Sequence, residues 1–121
     1  MKSNTAVLDE FGQLLVQKVF DNQYRFILNK VEDLRESKGY ENLFGDMNRQ
    51  QKEELEFYTR ELLTGALFDF LRIFEENLEF KIIYQQNGEV KDLNEISEML
   101  KAEPLTMNGW IERFSSELNK K

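Results

Sequence analysis

The chain comprises 121 residues, with 23 acidic and 16 basic side chains, a net charge of −7 and 40% hydrophobic residues. It contains neither histidine nor cysteine, which excludes Ser-His-Asp and Cys-His catalytic machinery, histidine-bearing zinc sites and any disulfide framework. The length suits one domain, residues 1–121, able to bury a core of its own, and a single proline among six glycines favours long helices over a many-stranded architecture.

The first forty residues read as helix. Val7, Leu8, Phe11, Leu14, Leu15 and Val19 recur at steps of three and four, and so do Phe20, Tyr24, Ile27, Leu28, Val31 and Leu34. The two sets do not share one stripe, because the apolar face rotates near Phe20-Asp21-Asn22. Residues 4–38 are therefore either two helices or one long helix that passes its apolar face from one neighbour to another. Gly39 sits where a C-terminal cap is expected. Tyr40 to Asp46 reads as a connection with Leu43 and Phe44 tucked beneath it, and Asp46 or Asn48 can cap the next helix.

Residues 49–60 begin strongly polar, with Leu55, Phe57 and Tyr58 as anchors. From Leu62 to Phe74 the chain is nearly all apolar, interrupted only by Thr64, Gly65, Asp69 and Arg72. Such a helix is expected to be buried almost all round and to form the central element of the fold. After Glu75-Glu76-Asn77 the period drops to two. Phe80, Ile82 and Tyr84 alternate with Lys81, Ile83 and Gln85, and Asn87-Gly88 is the favoured pair for a tight turn. Val90 and Leu93 belong to the returning strand, so a β-hairpin over about residues 80–93 is predicted, leaning on the helices. Asn94 reads as the N-cap of a short helix carrying Ile96, Met99 and Leu100 on one face, ended by Pro104. Asn108-Gly109 marks a further turn, and Trp110, Ile111, Phe114 and Leu118 define a last helix. The tail Asn119-Lys120-Lys121 is expected to fray. The fold class that follows is α+β, mainly α, with four to six helices and one hairpin packed on them.

The charge is uneven. Residues 1–40 carry six acids and six bases, residues 41–79 ten acids and four bases, and residues 80–121 seven acids and six bases. The central third therefore holds nearly all the excess. A negative face repels phosphate backbones and anionic lipid, so nucleic acid and membrane surfaces are poor partners, and a basic protein is the better one. No apolar run approaches a membrane span or the core of a signal peptide, and nothing in the composition marks an oxidising compartment. A cytoplasmic protein is expected.

Gly65, Asp69, Arg72 and Glu76 fall at spacings of four, three and four, so they line one narrow helical stripe. This stripe can dock a partner or ligand, or it can be the solvated edge of a core helix with an ordinary ion pair. Trp110, directly after Asn108-Gly109, is either an exposed interface anchor or a clamp that docks the terminal helix; the clamp is the commoner role. The candidate binding residues are thus Asp69, Arg72, Glu76 and Trp110. The many glutamates (Glu53, Glu54, Glu56, Glu61, Glu75, Glu76 and Glu79) have neither EF-hand spacing nor a histidine to complete a di-metal site, so no metal or other cofactor is expected. No phosphate-binding glycine loop or nucleophile elbow is present.

The composition and motifs point to a non-catalytic, acidic protein-binding module, immunity-, adaptor- or chaperone-like, for a basic partner protein. The alternative is a small-molecule-binding domain or weak enzyme with a pocket between helix 62–76 and the hairpin, using Asp69, Arg72 and Tyr84. Homodimerisation through helix 49–74 is a third possibility.

Overall fold

The computed structural model describes residues 1–120. Ser3 opens the first helix: its hydroxyl accepts from the Ala6 amide at 3.0 Å, which satisfies one of the orphan donors of the first turn. From there α1 (Asn4–Leu15), a π-helical turn (Val16–Phe20) and α2 (Asp21–Arg35) run on without a break, so residues 4–35 form one rod. The π turn explains the rotating apolar face. Leu8, Gly12, Val16, Phe20 and Tyr24 are all buried and lie at steps of four, which outrun a turn of 3.6 residues. The wider turn, marked by the Asp21 amide donating to the Val16 carbonyl, takes up part of that excess and keeps the series pointing inward.

The rod ends at Glu36 rather than at Gly39, whose φ of +94° instead serves the turn that follows. Within the expected connection lies a single helical turn, α3 (Glu41–Phe44). It buries Phe44 and leaves Leu43 exposed. Phe44, Met47 and Val31 form a small second cluster. Asn48 caps α4 (Arg49–Glu76) through a reciprocal pair with Gln51: each side chain accepts from the other residue's amide at 2.8 Å.

The hairpin consists of β1 (Ile83–Gln86) and β2 (Glu89–Asp92), antiparallel with Ile83 opposite Asp92 and Gln86 opposite Glu89. Its turn has Asn87 at φ +52° and Gly88 at φ +82°, the paired positive values of a tight two-residue turn. One face leans on α1, where Lys91 donates to the Asn4 side chain and the Lys2 ammonium lies 5.5 Å from the Tyr84 ring centre. At the open end Lys81 pairs with Asp92 at 3.0 Å, and that hydrogen bond raises the lysine pKa above its usual value.

The fold is α+β and mainly α, but its last third is more broken than its periodicity suggested. Asp92, not Asn94, caps the next helix by accepting from the Asn94 amide at 3.0 Å. That helix, α5 (Leu93–Ile96), is one turn long. Ser97 is extended and Met99 is non-helical, with φ −150° and ψ 82°, so Leu100 belongs to a separate 3-10 turn (Leu100–Ala102) and Met99 points outward. Helix α6 (Trp110–Phe114) stops before Leu118 because Ser115 turns extended. The Ser115 hydroxyl donates to Asp21 at 2.6 Å and the Ser116 amide does so at 2.7 Å. The tail is tied back as well. Asn119 donates to the Ser115 carbonyl at 2.8 Å and Lys120 pairs with the buried Glu117 at 2.6 Å; Lys121 lies outside the described residues.

The main core joins α1, the π turn, α2, the C-terminal half of α4, Leu93, Leu100 and α6. Its largest fully buried side chain is Trp110. The Tyr24 phenol sits at the edge of this core, and burial pushes its pKa above the ordinary tyrosine value.

Candidate functional site

In the C-terminal half of α4 the sequence places apolar residues in adjacent pairs: Leu62-Leu63, Ala66-Leu67, Phe70-Leu71 and Ile73-Phe74. Successive helical residues lie about 100° apart, so the pairs make two parallel apolar stripes. Leu67 and Leu71 are buried, and Leu63 and Phe74 are half-buried beside them. The other stripe faces solvent, with Leu62 58% exposed and both Phe70 and Ile73 46% exposed. Tyr58, one turn before Leu62, is 62% exposed. Phe57 and Tyr58 are therefore surface residues rather than anchors, and the helix expected to be buried all round is buried along one side only.

Asp69, Arg72 and Glu76 form a third stripe, bordering the exposed apolar one on the side away from the core. The structure brings all three together. Arg72 lies 3.4 Å from Asp69 and 3.8 Å from Glu76, and the guanidinium rests 5.8 Å from the Phe68 ring centre. All three side chains are well exposed, so the pairs contribute only about 0–1 kcal/mol each to stability. With one base between two acids the stripe keeps a net negative charge, and Glu61, also exposed, extends it toward the N-terminus. This arrangement offers apolar contact and charge selection.

Gly65 lies in the same stripe with nothing within 4 Å of where a Cβ would stand. Its backbone is helical, so it carries the entropic cost of glycine without a packing reason inside the chain. Gly65→Ala is expected to stabilise the protein by about 0.5–1 kcal/mol, read as a rise in the denaturation midpoint. A loss of stability would mean that the helix is tighter there than its open surroundings imply.

Trp110 does not belong to this surface. It is 1% exposed and edge-on to Phe11, with ring centres 5.8 Å apart. Its indole fills the place where a side chain at Gly12 would stand. The tryptophan is the clamp that holds α6 on α1, and it is unavailable as an exposed anchor. Gly12 is the partner that sequence reading missed; its only signal was a glycine at a core step of the helix.

Beside the hairpin, Val7, Phe11, Leu14, Ile82, Tyr84 and Leu93 line an apolar groove of about 190 Å³. It lies between α1 and β1, so its helical wall is α1 and not helix 62–76. The acidic residues noted for metal binding, Glu79 just beyond its end excepted, are strung along α4, whose 28 residues span about 40 Å of helix axis. Among the described residues no three acidic side chains stand together as a metal site would need. No described helix is long and apolar enough to cross a membrane. No family model, curated protein or solved structure matches this chain.

Proposed function

We propose that this chain is a non-catalytic protein-binding module of the immunity, adaptor or chaperone kind, whose basic partner docks on the exposed side of α4. The observation that carries this reading is the stripe of Leu62, Phe70 and Ile73, open to solvent and bordered by Asp69 and Glu76 within the most acidic third of the chain. Burying such side chains under a partner removes apolar surface from water, the main favourable contribution to association, while the acidic rim speeds encounter and rejects wrong partners. A second copy of the chain suits this face less well, since it would bring two strongly acidic segments together. The small-molecule alternative has less support, because the apolar groove beside the hairpin has α1 as its helical wall and does not include helix 62–76.

The test is capture of partners from the source cell's lysate by the tagged chain, at low and at high salt. It is repeated with the paired variants Phe70→Ser/Ile73→Ser and Asp69→Lys/Glu76→Lys. Asp69 and Glu76 are well exposed, so the charge variant is expected to melt close to wild type; Phe70 also packs edge-on to Phe74 with ring centres 5.4 Å apart, so the melting temperature of Phe70→Ser/Ile73→Ser is measured beside its capture. One dominant partner is expected, weakened by salt and lost from both variants. A partner retained by both variants would remove α4 as the docking face. The lack of any specific partner at either salt would count against the binding-module reading itself.

A further inference from the structure

The chain contains two Asn-Gly pairs, Asn87-Gly88 and Asn108-Gly109, and the fold treats them in opposite ways. Asn87 and Gly88 are both exposed at the hairpin tip. Neither the Asn87 side chain nor the Gly88 amide has a hydrogen-bond partner among the described residues. Asn108 also has a positive φ, +58°, but Gly109 is buried and its amide donates to the Thr106 carbonyl at 2.8 Å. The peptide between them is held from its other side too, because Arg113 Nε donates to the Asn108 carbonyl at 2.7 Å. A Cβ on Gly109 would collide with the Glu103 and Thr106 carbonyls, a measure of how little room that backbone has to move.

We infer that Asn87 is a site of spontaneous, backbone-assisted deamidation, and that the fold protects Asn108 from the same reaction. The Gly88 amide nitrogen attacks the Asn87 side-chain carbonyl carbon. The new C–N bond closes a five-membered succinimide, and the side-chain nitrogen leaves as ammonia, taking up the proton lost from the attacking amide. Water then opens the ring at either carbonyl, giving aspartate or isoaspartate. Glycine favours the step because no side chain obstructs the attacking nitrogen. At Gly109 the attacking amide is already committed to Thr106, and its peptide must be freed before it can approach. Either product adds a negative charge between Gln86 and Glu89. Isoaspartate also inserts a methylene into a two-residue turn, which sets strand register, so the modified hairpin loses its pairing at the tip.

The test is incubation of the full chain at mildly alkaline pH, with timed digests and mass spectrometry that separates aspartyl from isoaspartyl peptides. A parallel sample is kept in denaturant. In the folded chain residue 87 is expected to convert roughly tenfold faster than residue 108, the factor carried by one well-made hydrogen bond. In denaturant the two rates are expected to converge. Equal rates in the folded chain, or an inert Asn87 in the folded chain while both pairs convert in denaturant, would overturn the inference.

Discussion

Trp110→Ala is expected to destabilise the protein by about 3–5 kcal/mol, the cost of removing a large aromatic from a packed core. For a domain of this size that is a large share of the total stability, which is typically about 5–15 kcal/mol. The reason is local and double. The indole is the bulkiest fully buried side chain among the described residues, and it meets both the Phe11 ring and the space beside Gly12. Removing it leaves a cavity that two helices would have to shift to close. The reciprocal change tests the same contact from the other side: Gly12→Ala pushes a methyl into the indole, and overpacking of this kind costs about 1–3 kcal/mol. Denaturant titration measures both. A Trp110→Ala midpoint close to wild type would show that α6 docks by other means and would return the tryptophan to the list of surface candidates.

Asp21→Ala is expected to cost about 3–6 kcal/mol, since hydrogen bonds to a charged acceptor are worth about 1.5–3 kcal/mol each and two are lost. Asp21 is fully buried, and its carboxylate accepts from the Ser115 hydroxyl and the Ser116 amide. The Ser115 hydroxyl in turn accepts from the Leu118 amide at 3.0 Å, so one carboxylate on the rod organises the whole C-terminal segment. The variant is expected to lose hydrogen-exchange protection over residues 115–119 before it loses protection in α1. Ser115→Ala removes one of the two bonds to Asp21 together with the one the hydroxyl accepts from the Leu118 amide, and is expected to cost about 2–4 kcal/mol. An Asp21→Ala variant within about 0.5 kcal/mol of wild type, the range of an ordinary surface change, would show that the C-terminal segment is held by its apolar contacts alone.

These two sites show what can be read from a chain by itself. The helical steps of Trp110, Ile111 and Phe114 announced the last helix, while Trp110 itself stayed open between an interface anchor and the commoner role of a clamp. That Gly12 receives the indole could not be read, because a glycine ninety-eight residues away carries no mark of its partner. The Asp21 network was equally hidden. Asp21 and Ser115 look like surface residues until tertiary contact between α2 and the C-terminal segment buries them. The same contact ends α6 at Phe114, overriding a periodicity that continued to Leu118.

The candidate site divides in the same manner. The spacing of Gly65, Asp69, Arg72 and Glu76 placed them on one stripe of a helix, because helical geometry is local and a short-range pattern determines it. The rotation of the apolar face near Phe20 was also visible, and so was the tight turn at Asn87-Gly88. Which side of α4 faces the core was not determined locally. Leu62-Leu63, Ala66-Leu67, Phe70-Leu71 and Ile73-Phe74 present two apolar stripes of nearly equal quality, and local chemistry does not distinguish them. Contact with α2 and the Leu100 turn covers Leu67 and Leu71 and leaves Leu62, Phe70 and Ile73 in water. The sequence by itself therefore determined the helices, the hairpin and the charged stripe, all of which rest on interactions between near neighbours. Only the tertiary structure decided the one-rod course through the π turn, the partners of Gly12 and Asp21, and which apolar stripe is left open, because each of these depends on surfaces that meet only after the chain has folded.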